Sequence, residues 1–268
     1  MRIIACQNLK GGTGKTTTVL SLGSYLAQLG HRVLILDLDV QGNIAESLEI
    51  SHSHTMYDLL VDDFSFEACK VTARPNLDAV LSDNTLASAE MLLVSRPRRE
   101  ETLALKMRGV TDYDFIFLDC SPSLSLINQN GLLYAGEILV PISMDYLAML
   151  GAVQVVENLE MIRKYYERTI RIAGILPTFH DPRTNLSWEI LAALREVYGP
   201  AVLPPVRVDA RMKEASCARK TIFEYDRRSR SARDYIKVCE VLFHGQTLGQ
   251  NPAAERGEAG ALLRAVAG

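Results

Sequence analysis

The residues best suited to chemistry lie near the start of the chain, in a short glycine-rich segment with two lysines. It reads Lys10-Gly11-Gly12-Thr13-Gly14-Lys15-Thr16-Thr17. Glycines let a backbone turn tightly and bring several N–H groups onto one oxyanion. The Lys15 ammonium can reach the β- and γ-phosphates of a nucleotide, and the Thr16 hydroxyl can bind Mg²⁺. These residue types therefore predict a phosphate-binding loop at residues 10–17.

The elements around this loop are those that phosphate binding requires. We predict an apolar strand at residues 2–5 and a helix with one apolar face at residues 18–29. The helix N-terminus adds the positive end of its dipole to the loop. The pattern G-x-x-x-x-G-K-[ST] is incomplete, because Leu9 replaces its first glycine. The segment follows the variant K-G-G-x-G-K-[ST]-[ST], in which a second lysine, Lys10, precedes the glycines.

Two further predicted strands end in carboxylates. The apolar run 33–36 is followed by Asp37 and Asp39, and the run 115–118 is followed by Asp119. Ligands of open α/β sheets bind at the carboxyl ends of strands, so these acids should face the phosphates. A carboxylate in this position can hold Mg²⁺ directly or through water.

The order of apolar runs and amphipathic helices predicts an α/β fold with a doubly wound, mostly parallel sheet flanked by helices. Apolar strands of this kind are buried on both faces. Further strands are predicted at residues 77–81, 138–142, 172–176 and 201–203, and further helices at 85–94, 100–108, 147–168, 186–197 and 232–243. We expect one domain over residues 1–244 and a flexible Gly/Ala-rich tail at 245–268.

Composition limits the classes of function. The chain has 268 residues and a net charge of −3, so it is not a general polycation. Its five cysteines are scattered without a C-x-x-C pair, which argues against a disulfide framework or a zinc site and fits a reducing cytoplasm. We expect neither a signal peptide nor a membrane span, since no apolar run approaches the roughly 18 residues that a span needs.

Positive charge is concentrated near the end of the predicted domain. Residues 207–237 contain ten Lys and Arg against five Asp and Glu, a local net charge of +5. Such an asymmetry is typical of a surface that binds the phosphate backbone of nucleic acid without reading the bases. The alternative from charge alone is a solvated surface with local salt bridges.

Together these motifs resemble the ParA/MinD family of deviant Walker A ATPases, most closely the short ParA-type partition proteins. The resemblance covers about residues 1–244 and is carried by residues 10–17, 37–43, 119–123, 181–185, 211–215 and 225–230. It implies a P-loop NTPase fold that uses ATP and Mg²⁺.

The resemblance also implies roles for individual residues. Lys10, Lys15 and Asp39 would be catalytic: Lys10 would cross to the partner subunit's ATP in a sandwich dimer, and Asp39 would position the attacking water. ATP would be bound by residues 10–17, with Arg207 and Asp209 at the adenine, and Mg²⁺ by Thr16, Asp37 and Asp119. We expect Asp145 at the dimer interface.

As a ParA-type protein, the chain would form an ATP-dependent homodimer that binds nonspecific double-stranded DNA and positions a plasmid, chromosome origin or other cargo. A ParB-like partner would stimulate hydrolysis, and the protein would be cytoplasmic and associated with the nucleoid. The residues expected to contact DNA are Arg183, Arg211, Arg219, Lys220, Arg227, Arg228, Arg230 and Arg233.

Two other functions remain open. A MinD-like ATPase at a membrane surface requires a basic amphipathic C-terminal helix, and residues 260–268 carry only one basic residue. An electron carrier similar to nitrogenase reductase requires cysteines that bridge an iron–sulfur cluster, and only Cys120 lies near the carboxylates.

One residue of the motif 119–123 departs from the family pattern. Ser121 stands where many relatives have a proline.

Overall fold

The computed structural model describes residues 1–244, and a seven-stranded sheet forms its centre. The strands are β1 (Arg2–Cys6), β2 (Val33–Leu38), β3 (Lys70–Arg74), β4 (Leu77–Val80), β5 (Phe115–Cys120), β6 (Glu137–Ser143) and β7 (Arg171–Thr178). Their order is β3-β4-β2-β5-β1-β6-β7, and only β3 and β4 pair antiparallel. The mostly parallel sheet is therefore confirmed. The tail predicted at 245–268 lies outside the described residues.

Twelve α-helices connect and cover the strands within residues 1–244. They are α1 (Lys15–Gln28), α2 (Asn43–Leu48), α3 (Met56–Leu60), α4 (Phe66–Cys69), α5 (Leu86–Leu93), α6 (Thr102–Lys106), α7 (Leu126–Tyr134), α8 (Tyr146–Tyr166), α9 (Asn185–Tyr198), α10 (Ala210–Cys217), α11 (Ile222–Tyr225) and α12 (Arg230–His244). None of these helices combines the length and apolar character needed to cross a bilayer.

The sheet is buried on both faces, as its apolar strands predict. In β2, Leu34 and Leu36 pack into one hydrophobic cluster, while Val33 and Ile35 pack into another on the opposite face. Helices α3 to α9 contribute to the first cluster, and α1, α2 and α10 to α12 contribute to the second. This arrangement is the doubly wound fold, and it brings the carboxyl ends of the parallel strands to one edge of the sheet.

Three local predictions were wrong or incomplete. Residues 201–203 do not form a strand: Gly199–Ala201 make a 3₁₀ turn, and Val202 forms only an isolated parallel bridge to Ile175. Two prolines follow, and their missing N–H groups prevent the bridge from extending into a ladder. Strand β3 and helix α7 were not predicted, and the helix expected at 100–108 is a 3₁₀ turn followed by the short α6.

Candidate nucleotide-binding site

The glycine-rich segment forms a loop between β1 and α1 at the carboxyl edge of the sheet. Gly12 and Gly14 have φ of 74° and 85°, in the left-handed region that favours glycine. Gly14 caps the N-terminus of α1, whose first residue is Lys15. The N–H groups in the first turn of a helix have no intrahelical partner, so the loop can offer them to an anion.

Buried polar side chains hold this loop in shape. The Asn8 amide donates to the carbonyls of Pro141 at 2.8 Å and Ala148 at 3.3 Å, and its Oδ1 accepts from the N–H of Lys10 at 2.9 Å. On the other side, the Thr178 hydroxyl donates to the Thr13 carbonyl at 2.8 Å. These hydrogen bonds fasten the loop to β6, β7 and α8.

The two lysines of the loop have different surroundings. Lys15 is only 7% exposed, and its Nζ donates to the Lys10 carbonyl at 3.2 Å. The Lys10 ammonium forms an ion pair with Asp145, the residue that caps the N-terminus of α8. Burial acts to raise the pKa of Asp145, but the pairing with Lys10 and hydrogen bonds from Ser143 and Ala148 lower it below its usual range.

The carboxylates expected to hold magnesium lie side by side. Asp37 in β2 and Asp119 in β5 are directly paired in register, and both are buried. Burial raises the pKa of Asp119 to about 7, although Thr16 and the charge of Lys15 act to lower it. Burial, followed by the charge of Asp119, also raises the pKa of Asp37.

Several oxygens in this region have no partner among residues 1–244. Both carboxylate oxygens of Asp119, Oδ2 of Asp37 and the Thr13 hydroxyl are buried without a hydrogen bond. Buried polar groups are normally paired, so unpaired carboxylate oxygens beside a lysine and a threonine fit a site for a divalent cation and its waters.

Asp39 lies just beyond the end of β2. Its N–H donates to Asp37 Oδ1 at 3.0 Å, and its own Oδ1 accepts from the N–H of Gln41 at 3.1 Å. The Ser82 hydroxyl donates to the Asp39 carbonyl. The carboxylate is thereby fixed at the same edge as the glycine-rich loop.

The structure gives Arg207 and Asp209 internal partners. Arg207 makes a bidentate pair with Asp234, at 2.8 and 2.7 Å. Asp209 accepts from the N–H groups of Arg211 at 3.1 Å and Ser231 at 3.0 Å, so it caps α10 and holds the start of α12. Both side chains stabilise the local fold, and their contact with adenine stays a prediction.

The residues predicted to contact DNA divide into two groups. Three form ion pairs: Arg183 with Asp181, Arg211 with Glu214 and Asp226, and Arg219 with Glu49. The other five are exposed, and no carboxylate of residues 1–244 lies within 4 Å of them: Lys220, Arg227, Arg228, Arg230 and Arg233.

Several residues at the site were missed by sequence reasoning. Asn8 precedes the motif by two residues, but its amide bonds to Pro141 and Ala148, more than 130 residues away, so no local pattern indicated its role. Thr178 and Gly151 gave no signal, because their partners lie more than 130 residues away. A Cβ at Gly151 would collide with Asn8 Oδ1 and lie 3.2 Å from the backbone nitrogen of Lys10, so glycine lets α8 approach the loop.

Comparison with known proteins identifies the family. A family model described as an AAA domain matches residues 1–172. The sporulation initiation inhibitor protein Soj of Bacillus subtilis is 36% identical over 91% of this chain and 99% of its own length. The chain belongs to the ParA/MinD family of deviant Walker A ATPases.

Other members of this family share its length and fold. The chromosome partitioning protein ParA of Caulobacter vibrioides is 31% identical, over 95% of this chain and 98% of that protein. A crystal structure of cobyrinic acid a,c-diamide synthase from Mycobacterium smegmatis, with a bound ATP analog and magnesium, covers 94% of this chain and 98% of that one. Its TM-score is 0.81 and its identity 28%. The similarity of this ParA/MinD ATPase to its relatives therefore extends well beyond the 172 residues that the family model matches.

Proposed function

We propose that this protein is a Mg²⁺-dependent ATPase of the ParA type. In this proposal two ATP-bound copies form a sandwich dimer that binds double-stranded DNA regardless of sequence. The dimer positions a plasmid, a chromosome origin or another cargo on the nucleoid, and a ParB-like protein stimulates hydrolysis. The relative named chromosome partitioning protein ParA supports the partition role, and the distribution of basic residues supports DNA as the ligand.

The geometry at the sheet edge supports ATP hydrolysis. Lys15 and the first-turn N–H groups of α1 would bind the β- and γ-phosphates. Thr16, Asp37 and Asp119 would hold Mg²⁺, which neutralises charge on the phosphates. Asp39 is fixed next to Asp37 and would orient the attacking water.

The ion pair between Lys10 and Asp145 bears on dimer formation. Within one subunit the Lys10 ammonium is paired with Asp145 at the N-terminus of α8. To act on a partner's phosphates, Lys10 must leave Asp145 and exchange one carboxylate for the larger negative charge of ATP. A cation supplied by a second subunit stabilises charge on a transferring phosphoryl group, as an arginine finger does.

The observation that carries the DNA proposal is the excess of basic residues in the last helices that have no carboxylate partner within the described part of the chain. Seven basic residues between positions 207 and 237 have no carboxylate of residues 1–244 within 4 Å: Lys213, Lys220, Arg227, Arg228, Arg230, Arg233 and Lys237. On a surface stabilised by internal salt bridges, these basic side chains would have carboxylate partners. Free cations can instead neutralise phosphates and release counterions.

The structure does not favour the electron carrier. Cys120 is 0% exposed and packs in the core, so its thiol is not presented to a partner subunit. Of the other cysteines, only Cys217 is exposed.

The DNA proposal is tested by removing unpaired charges. We expect Arg227→Ala and Arg230→Ala to weaken binding of labelled duplex DNA equally for different sequences, in fluorescence anisotropy with ATP. Each lost phosphate contact should reduce the salt slope by about 0.9. The control is Arg168→Ala, an exposed arginine that lies three residues before β7, outside the basic segment, and has no carboxylate of residues 1–244 within 4 Å. Equal effects of all three changes would contradict the proposal.

A further inference from the structure

The loop that follows β5 is fastened by one buried side chain, Asn128 of α7. Asn128 is 1% exposed. Its Nδ2 donates to the carbonyls of Ser121 and Ser123, both at 2.8 Å, and its Oδ1 accepts from the N–H of Ser121 at 3.2 Å. One amide therefore holds both ends of a three-residue segment.

This segment connects the two halves of the nucleotide site. It begins two residues after Asp119, the carboxylate assigned to magnesium. The Ser123 carbonyl also accepts from Gln7 Nε2 at 3.1 Å, and Gln7 directly follows β1 at the start of the glycine-rich loop. Asn128 and Gln7 thus meet on the same carbonyl oxygen, so the position of the segment is set relative to the glycine-rich loop.

Helix α7 is a rigid support for the Asn128 amide. The Ser125 hydroxyl caps the helix by accepting from the backbone N–H of Asn128 at 3.2 Å. Leu126, Ile127 and Leu132 of the same helix are buried in the core. A side chain that starts from such an element, with both polar atoms engaged, has little freedom to move.

The hydrogen bonds from Asn128 to this segment depend in part on the serine at position 121. The serine supplies an N–H to Asn128, and its hydroxyl lies 2.9 Å from that of Ser123. A proline at this position would stiffen the segment through its ring but would have no N–H to donate. In this chain the asparagine amide provides the restraint.

We propose that Asn128 is a positioning residue for ATP hydrolysis. It holds residues 121–123 against the glycine-rich loop, and so keeps Asp119 and the adjoining backbone in place beside the γ-phosphate. We expect loss of this side chain to slow the chemical step of hydrolysis, because a displacement of about 1 Å in a reacting group can lower the rate about 100-fold. The inference rests on the proposed ATPase activity but not on DNA binding.

Helix α7 offers a matched control two residues away. Asn130 is also 1% exposed, and its Nδ2 donates to the carbonyls of Arg99 at 2.8 Å and Leu126 at 2.9 Å. Its Oδ1 accepts from the N–H of Leu103 at 3.0 Å. Asn130 therefore has the same burial and a similar number of bonds, but it joins α7 to α6 and the preceding 3₁₀ turn.

The test compares Asn128→Ala with Asn130→Ala in ATP hydrolysis and in binding of a non-hydrolysable ATP analogue, below the Tm of both variants. We expect Asn128→Ala to lower kcat about 10-fold or more while the affinity for the analogue changes little. Asn130→Ala should lower the Tm but leave kcat close to that of the wild type. Hydrogen exchange at Ser121 and Ser123 should be faster only in the Asn128 variant.

A second variant covers the case in which Asn128→Ala does not fold. Asn128→Ser is neutral, so it buries no charge beside the Ser121 and Ser123 carbonyls, but its short side chain cannot bond to both of them, so kcat should again fall. An unchanged kcat in the Asn128 variants would overturn the inference, as would equal losses at Asn128 and Asn130. Failure of the wild-type protein to hydrolyse ATP would instead contradict the proposed function.

Discussion

At the scale of single residues, Lys10 and Lys15 show how the same side chain takes two roles a few positions apart. Lys15 starts α1 and is buried against the loop, and its Nζ donates to the Lys10 carbonyl of the same subunit. Lys10 instead forms an ion pair with Asp145 at the N-terminus of α8. The two lysines differ in their surroundings and not in type. These surroundings agree with the proposal that Lys15 binds the ATP of its own subunit and Lys10 acts on the ATP of the partner subunit.

Changes at this pair test the role of Lys10. We expect Lys10→Ala to bind ATP but to form no ATP-dependent dimer, because the cation that would reach the partner's phosphates is missing. Asp145→Asn keeps an acceptor for capping α8 and removes the charge that holds Lys10, so it should dimerise at lower ATP concentration than the wild type. Light scattering with ATP distinguishes these outcomes, and a normal dimer in Lys10→Ala would mean that the lysine has no role across the interface.

At the scale of elements, α8 is the helix most closely joined to the glycine-rich loop. Asn8 bonds to the Ala148 carbonyl in its first turn, and Gly151 one turn later leaves room for the Asn8 side chain. The close approach depends on the absence of a side chain at Gly151. A shift of α8 would therefore move the backbone of Lys10.

The substitution Gly151→Ala tests this contact. Alanine usually stabilises a helix interior by about 1 kcal/mol relative to glycine. Here we expect the opposite sign, together with weaker ATP binding, because the new methyl group collides with the Asn8 amide. Thermal unfolding and calorimetric titration with ATP measure the two effects. A more stable variant with normal ATP affinity would show that α8 does not support the loop.

The elements also show what the sequence could predict. The glycine-rich loop, the acid-ended strands and the parallel sheet were predictable, because each is encoded in a contiguous run of residues. Helix α7 was missed because Gly131 and the two asparagines of this helix weaken a helical pattern. Both asparagine side chains form tertiary hydrogen bonds to other parts of the fold. Asn8 and Thr178 act on partners more than 130 positions away, which no local pattern reports.

At the scale of the whole molecule, charge is distributed unevenly along the chain, which the net charge alone does not show. The chain carries −3 overall, yet residues 207–237 carry +5, and most of the basic residues there have no carboxylate of residues 1–244 within 4 Å. The Thr18 hydroxyl in α1 lies 3.1 Å from the Tyr235 hydroxyl in α12, so the helix that starts at the glycine-rich loop packs directly on the last helix of the basic segment. The glycine-rich loop and the basic segment are thus linked by this contact between α1 and α12.

The central claim is that ATP, through dimerisation, controls DNA binding, and Asp39→Ala tests it most directly. This variant keeps Lys15, Thr16 and Asp119, so it should bind ATP and Mg²⁺, fail to hydrolyse ATP and persist as a dimer. A dimer doubles the basic surface, and the free energies of phosphate contacts largely add. The measurement is fluorescence anisotropy of labelled duplex DNA across a salt series, with ATP and with ADP. We predict much tighter, sequence-independent and steeply salt-dependent binding with ATP, and equal binding in the two nucleotide states would contradict the account.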